Sequence, residues 1–393
     1  MTKKFNFVAP LLERLLQTIQ EQGSTSVIWL GNHPWLPVII EVLLDIGISD
    51  IRILSNREWE QGLKIEPFTW GIRHPDCSIE IEPVFLNDED KDSTFFMANT
   101  HYLEFSWQLS VFGILPDQII NLYDLSCDHI LFWKQQEERV KNLDLLSGRQ
   151  LQMIELNTLI YFRDYCKKKN LTFFIGAGTL LGAIRHQGFI PWDDDLDVYM
   201  PYEDYLRLIE EFEDDERYEL LDWRRDDNYI IPFAQLTDKT TYLIREYPWM
   251  YCCGVTASFI DIFPLSGYPA DAEGIEAQWE KNLRLDREWY YYMIVKDVSG
   301  FNVKDERQRI SDDRHSQSFY LSDRVGNVIR TNHRPWSVSR GAFETTVSVR
   351  FENEYFPAPI GYDEYLKARY DNYMRIPDET EKERHGFPTY SLK

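Results

Sequence analysis

Four aspartates, Asp193, Asp194, Asp195 and Asp197, follow closely on a glycine-rich run, Gly176-Ala177-Gly178-Thr179-Leu180-Leu181-Gly182-Ala183-Ile184-Arg185-His186. That order suits holding a phosphate and a divalent metal side by side. Backbone N–H groups of a glycine turn approach phosphate oxygens without interference from Cβ, and a helix N-terminus adds a favourable dipole. In an extended strand, residues two apart project to one face. Asp195 and Asp197 can then offer oxygens to one hard cation such as Mg²⁺ or Mn²⁺. Leu196 and Val198 face the opposite, packed side. Asp193 shares the parity of the two ligands and reaches the metal directly or through water, whereas Asp194 has the other parity and orients the turn. A third carboxylate, Asp261, interrupts the apolar run Phe259–Phe263. A lone aspartate in a buried strand needs a partner: as a third metal ligand, as the base, or held by backbone hydrogen bonds.

The same stretch supplies candidate phosphate contacts. Gly178 and Thr179 open the helix and cradle a donor phosphate, although Thr179 also suits a plain N-cap role. Arg185 follows on that helix, and its guanidinium fork fits a phosphate or pairs with the nearby aspartates. Lys239, after the strand Phe233–Leu236, either meets a phosphate or closes a turn.

These residues need a scaffold. The pattern predicts a helix over Gln150–Lys168, a strand over Leu171–Ile175, a helix over Tyr202–Phe212 and a strand through Asp261. Ser311–Asn332 is polar with little periodicity and reads as a long loop or lid. The preceding 140 residues read as a separate α/β unit, with helices over Leu11–Gln22, Pro34–Ile46 and Tyr102–Phe112. Strands are expected over Ser26–Leu30, Ile51–Leu54, Ile79–Phe85 and Thr94–Met97, and Asn87–Ser93 reads as an exposed loop. Strands and helices alternating at this spacing suggest a small parallel, Rossmann-like sheet. A dinucleotide fingerprint needs G-x-G-x-x-G after the first strand and an acidic residue after the second. Here Gly31 is followed by His33 and Leu36 in place of the other glycines, and the second strand ends Leu54-Ser55-Asn56. NAD binding is therefore not expected. Packing, formation of a homo-oligomer or docking of a partner suits this unit better. The expected fold class is α/β: residues 1–140 a degenerate Rossmann-like domain, and 145–393 an α+β catalytic domain.

Bulk properties remove other classes. The formal charge is −23, from 42 basic against 65 acidic residues. A nucleic-acid partner needs a basic surface and is not expected, nor is general attraction to anionic lipid. A small basic group, Arg330, His333 and Arg334, is either an anion contact or a solvated loop. Cys77, Cys127, Cys166, Cys252 and Cys253 form no C-x-x-C pair, so neither a zinc site nor a disulfide framework is suggested. The first residues lack the apolar core of a secretory signal. No run approaches the roughly 18 apolar residues of a transmembrane span. A cytoplasmic, soluble protein is expected.

In its glycine and aspartate motifs the chain resembles the LicD/fukutin phosphotransferases. The shared pattern is G-T-L-L-G-A-x-R-x-x-G-x-I-P-W-D-D-D-x-D over Gly178–Asp197, then D-x-F-P at Asp261–Pro264. A tail, Pro359–Leu366 followed by Arg369–Met374, is similar as well. Asp371 departs from the pattern, which has glycine there. The resemblance covers about Leu145–His385 and implies a nucleotidyltransferase fold. It also implies transfer of a phospho-alcohol, such as phosphocholine, from a CDP-linked donor to a hydroxyl of a cell-surface glycan precursor, lipid-linked or not, with release of CMP. The rival enzyme reading is nucleotidyl transfer to a sugar or small molecule with release of pyrophosphate. The non-enzymatic rival is a partner-docking protein acting through its N-terminal domain.

Overall fold

A computed structural model describes residues 8–23, 25–30, 36–55, 61–62, 64–65, 68–69, 72–73, 79–83, 93–97, 114, 118–121, 129–193, 195–227, 229, 231–244, 255–294, 302–329, 336–378 and 388–392. Two compact units emerge: residues 1–134 with 287–303, and residues 135–286 with 304–393. Several expectations lie outside the described residues: the turn Gly31–Trp35, the helix Tyr102–Phe112, nearly all of the loop Asn87–Ser93, Asp194, and the group Arg330, His333 and Arg334.

The first unit is α/β. Helix α1 (Val8–Gln22) precedes β1 (Ser26–Leu30), α2 (Leu36–Asp45) and β2 (Asp50–Ser55). Short strands follow: β3 (Lys64–Ile65), β4 (Phe68–Thr69), β5 (Ile72–Arg73), β6 (Ile79–Pro83), β7 (Phe95–Met97) and β8 (Ile119–Asn121). Apart from β4 and β5, which pair with each other, the strands of this unit build a sheet in the order β3-β6-β2-β1-β7-β8. The pairings β6–β2, β2–β1, β1–β7 and β7–β8 are parallel. Val27, Ile28, Trp29 and Leu30 are all buried, as expected of a parallel strand covered on both faces. Along the parallel strands the order is that of a Rossmann half-fold extended on both sides of its first strand.

The second unit begins within α3 (His129–Val140) and continues through β9 (Asp144–Leu145) into α4 (Gly148–Lys169). Ser147 starts α4 with a capping box: its hydroxyl accepts from the Gln150 N–H while the Gln150 side chain accepts from the Ser147 N–H. Asn170 ends it in the left-handed conformation. Next come β10 (Phe174–Ile175), α5 (Ala177–His186), β11 (Asp197–Pro201), α6 (Tyr202–Glu211), β12 (Tyr218–Leu221), β13 (Ala234–Asp238), β14 (Thr241–Leu243) and β15 (Ser258–Tyr268). After α7 (Ala272–Ile294) and α8 (Val303–Arg314), the chain forms β16 (Arg324–Asn327), β17 (Ser337–Ser339), β18 (Thr346–Phe351), β19 (Glu354–Pro359), α9 (Tyr362–Tyr370) and β20 (Thr389–Ser391).

The central sheet runs β10-β11-β15-β13-β12. Strand β11 is parallel to β15, and β13 is antiparallel to it. The second half of β15 pairs with β16, which pairs with β17. One apolar core spans this unit, from Leu159 and Phe162 of α4 through Val198, Ile260 and Ile262 to Phe343 and Tyr365.

Ser311–Asn332 is not a continuous loop. Its start completes α8 and its middle holds β16. The buried stripe of α8 is Arg307, Ile310, Ser311 and Arg314, which has helical spacing but three polar members, so an apolar pattern is missing. Among the described residues, no helix is long and apolar enough to cross a membrane.

Candidate functional site

Strands β11, β15 and β13 bring one row of side chains together. Asp197 is in register with Asp261, and Asp261 with Gln235. Neighbouring strands lie about 4.8 Å apart and paired residues share a face. Leu196, Val198, Ile260 and Ile262 fill the opposite face, all buried in the core. Asp261 is placed further by its own N–H, which donates to the Leu196 carbonyl at 2.8 Å.

Asp195 joins the row from outside it. The ladder of β11 starts only at Asp197, so the aspartates do not share one strand as expected. The Asp193 N–H closes a turn onto the Ile190 carbonyl at 3.0 Å, and the chain is still turning there. Even so, one carboxylate oxygen from each of Asp195, Asp197 and Asp261 lies within 4.8 Å of the others. Ligand distances of roughly 2.0–2.6 Å around one cation span that separation.

Two atoms in the row have a buried polar group and nothing to bond: Asp197 Oδ1 and Gln235 Oε1. Leaving a charged acceptor in that state costs about 1–3 kcal/mol or more. The all-oxygen donor set and the orphaned Asp197 oxygen fit a hard divalent cation. Gln235 was not anticipated. Its Nε2 donates to Asp261 Oδ1 at 2.6 Å. The sequence signal was an amide inside a short strand that is buried at every position.

The glycine run places the other wall. Gly176 is the N-cap of α5, with extended backbone and no side-chain cap bond. A Cβ there would lie 2.4 Å from the Tyr199 ring, so only glycine lets that ring pack under the turn. Ala177 then turns with φ +38°, an unusual angle for a residue with a Cβ. Its N–H donates to Tyr365 Oη at 3.0 Å, and Tyr365 Oη donates to Tyr199 Oη at 3.2 Å.

Thr179 is therefore the third residue of the helix and not its cap. Its Oγ1 accepts the Asp197 N–H at 2.7 Å, which ties the first turn of α5 to the start of β11. Gly178 lies against the Asp193 carboxylate: an added Cβ would stand 2.6 Å from Oδ2. Asp193 thus faces the first turn of α5, where the dipole favours an anion. Its backbone carbonyl accepts from Gln152 Nε2 of α4 at 3.0 Å.

The two expected phosphate-binding cations are placed otherwise. Arg185 donates through one guanidinium nitrogen to the carbonyls of Tyr373 and Arg375, at 3.0 and 2.9 Å. Burial pulls its pKa down, partly offset by Tyr370 and Asp193. It fastens the segment after α9 to α5, and among the described residues no ion pair joins it to an aspartate. Lys239 is not brought to the row at all. It follows β13 four residues beyond Gln235, about 13 Å along the strand, and its Nζ donates to the Asp215 carbonyl at 2.5 Å. Its neighbour Asp238 is fully buried and bound to Arg217 at 2.8 Å, so this is a structural turn.

Residues 170–295 match the family described as LicD/FKTN/FKRP, nucleotidyltransferase domain. The lipopolysaccharide cholinephosphotransferase LicD of Haemophilus influenzae is 27% identical over 264 residues, 61% of this chain and 96% of that protein. An uncharacterised protein of Rickettsia prowazekii is 39% identical over 72 residues, 18% of this chain and 26% of its own length. Another, of Rickettsia typhi, is 60% identical over 41 residues, 10% of this chain and 13% of that protein.

Proposed function

We propose that this chain, an enzyme carrying a LicD-family nucleotidyltransferase domain over residues 170–295, moves a phospho-alcohol such as phosphocholine from a CDP-linked donor to a glycan hydroxyl. CMP is the leaving group. The relative named a lipopolysaccharide cholinephosphotransferase supports transfer of phosphocholine to a surface glycan. The observation that carries the reading is the convergence of Asp195, Asp197 and Asp261 within 4.8 Å beside a glycine-rich helix start.

Asp195, Asp197 and Asp261 would hold Mg²⁺ (or Mn²⁺). When bound, that ion neutralises charge on the donor phosphates and lowers the pKa of a nearby hydroxyl. The protein's own task is positioning, which phosphoryl transfer demands more than covalent chemistry. Thr179 fixes Asp197 through its N–H, and Gln235 fixes Asp261 through its amide. The first-turn N–H groups of Gly178 and Thr179 have no acceptor within the helix and lie at the donor side, with Asp193 setting the turn. Arg185 acts by position, holding the segment after α9 in place. The N-terminal unit is read as a packing or partner-docking element.

The decisive experiment is incubation with a panel of CDP-alcohols, Mg²⁺ and a glycan acceptor, scored for CMP and for pyrophosphate. CMP release dependent on one CDP-alcohol supports the reading. Pyrophosphate release from a nucleoside triphosphate and a sugar phosphate would assign nucleotidyl transfer instead.

A further inference from the structure

Arg369 sits on α9, one turn after Tyr365. Tyr365 is fixed to the site by two hydrogen bonds, from the Ala177 N–H at the start of α5 and to Tyr199 Oη on β11. Tyr199 stands two residues beyond Asp197 and so shares its face of the strand. Residues four apart on a helix are neighbours on one face. Arg369 is thereby brought over the stretch of β11 that begins with Asp197. Its guanidinium carbon lies 5.2 Å from the centroid of the Tyr370 ring. The Tyr370 hydroxyl feels the charges of both Arg369 and Asp197. Tyr370 thus lies within electrostatic reach of both the guanidinium and Asp197.

Among the described residues, Arg369 lacks a counter-charge. Its Nε is buried without a hydrogen-bond partner. Its electrostatic partners are the hydroxyls of Tyr370, Tyr199 and Tyr365, and among the described residues no carboxylate pairs with it. The sequence offers 65 acidic against 42 basic residues, so carboxylates are plentiful. Arg149, Arg163, Arg217, Arg224 and Arg225 in the same unit each have one. A half-buried guanidinium whose Nε is enclosed without an acceptor is unfavourable unless a ligand completes it. Its planar fork matches the oxygens of a phosphate, and Asp195, Asp197 and Asp261 would hold the divalent ion that such a phosphate accompanies.

We propose that Arg369 is the phosphate anchor of this site, a cationic contact for a diphosphate held between α9 and the carboxylate row. The assignment deepens the proposed function, and it gives the anchoring role to a residue outside the glycine and aspartate motifs. Arg185 and Lys239 direct donors at backbone carbonyls; Arg369 leaves its buried Nε without an acceptor.

The test uses the full chain with Mg²⁺ and inorganic pyrophosphate, and separately with Mg²⁺ and CDP, read by calorimetry and thermal shift. R369M is expected to weaken pyrophosphate binding about 10- to 100-fold, the worth of a charge-assisted pair, while Mn²⁺ binding alone is unchanged. R369K keeps the charge but loses the fork and is expected to fall between. Wild-type affinity for pyrophosphate in either variant overturns the assignment, as does no binding by the wild type. If R369M fails to melt cooperatively, R369K decides. Arg369-dependent binding of pyrophosphate without CMP release from any CDP-alcohol leaves the anchor standing and removes the proposed reaction.

Discussion

Three carboxylates within 4.8 Å of one another repel when no cation lies between them. This gives Asp197 and Asp261 a signature that separates function from folding. Asp197→Asn and Asp261→Asn are expected to lower CMP release by about 10²-fold or more, on the scale of losing one preorganised charge. In chelator the same variants are expected to melt at or above the wild-type temperature, because one repulsive charge is gone. Added Mg²⁺ should raise the wild-type Tm and leave the variants nearly unmoved. A variant that melts lower and still responds to Mg²⁺ would return its aspartate to a structural role. Gln235 makes a second case. Gln235→Leu removes the donor to Asp261 Oδ1 along with an unsatisfied buried oxygen. Stability should change little, while turnover should fall about 10- to 100-fold, as for groups that orient metal ligands. Equal turnover in Gln235→Leu would show that Asp261 is held by its strand alone.

Helix α5 and the loop behind it are held from two sides, and each hold has its own test. Thr179→Val keeps shape but removes the acceptor for the buried Asp197 N–H, at a cost of about 1–3 kcal/mol. Thr179→Ser keeps the acceptor and should cost clearly less by thermal or denaturant unfolding. On the other side, Glu352 at the β18–β19 turn accepts from Arg149 at 2.6 Å and from the Phe189 N–H at 3.3 Å. The hydrogen bond from Arg149 is the largest cause holding the Glu352 pKa below its ordinary 4.5. A depressed carboxylate stabilises the fold above the unfolded pKa, and that contribution is lost as pH falls through the folded pKa. Glu352→Gln is therefore expected to lower stability by about 1 kcal/mol at pH 7, with the gap to wild type closing below about pH 4.5. A gap independent of pH would mean that the amide simply packs badly. Much of this region could be read from sequence because the motif is local: the Gly176–His186 helix, the aspartates and the lone Asp261 declare themselves by spacing. Gln235 did not, nor did the roles of Tyr365 and Arg369, which the sequence marks only as part of a family-like tail, since nothing local ties a residue to a partner that only the fold brings near. Helix α8 escaped for a different reason, its buried face being Arg307, Ile310, Ser311 and Arg314.

At the scale of the molecule, the family match ends at residue 295, yet the unit that holds the site does not end there. Residues 304–393 return to it. Strand β16 covers the second half of β15 from Leu265 to Tyr268. The Phe343 ring meets Phe174 edge-on at 5.1 Å, and Trp336 packs on Tyr199 at 5.6 Å. Phe319, Val325, Trp336, Phe343, Phe351 and Tyr365 all lie in the core shared with β11 and β15. Burying each such side chain contributes about 1.5–3 kcal/mol, so these six alone amount to roughly 10 kcal/mol or more. The net stability of a domain is about 5–15 kcal/mol. A chain stopped after Ile294 keeps the glycine run and every aspartate of the row. It also bares the Gly176 turn, because Tyr365 no longer accepts the Ala177 N–H. Such a chain is expected to show no cooperative thermal transition, to bind a dye that reports exposed apolar surface, and to lose Mn²⁺ binding with all its carboxylates present. A sharp melt with Mn²⁺ affinity like the intact protein's would mean that the C-terminal segment only decorates a self-sufficient fold.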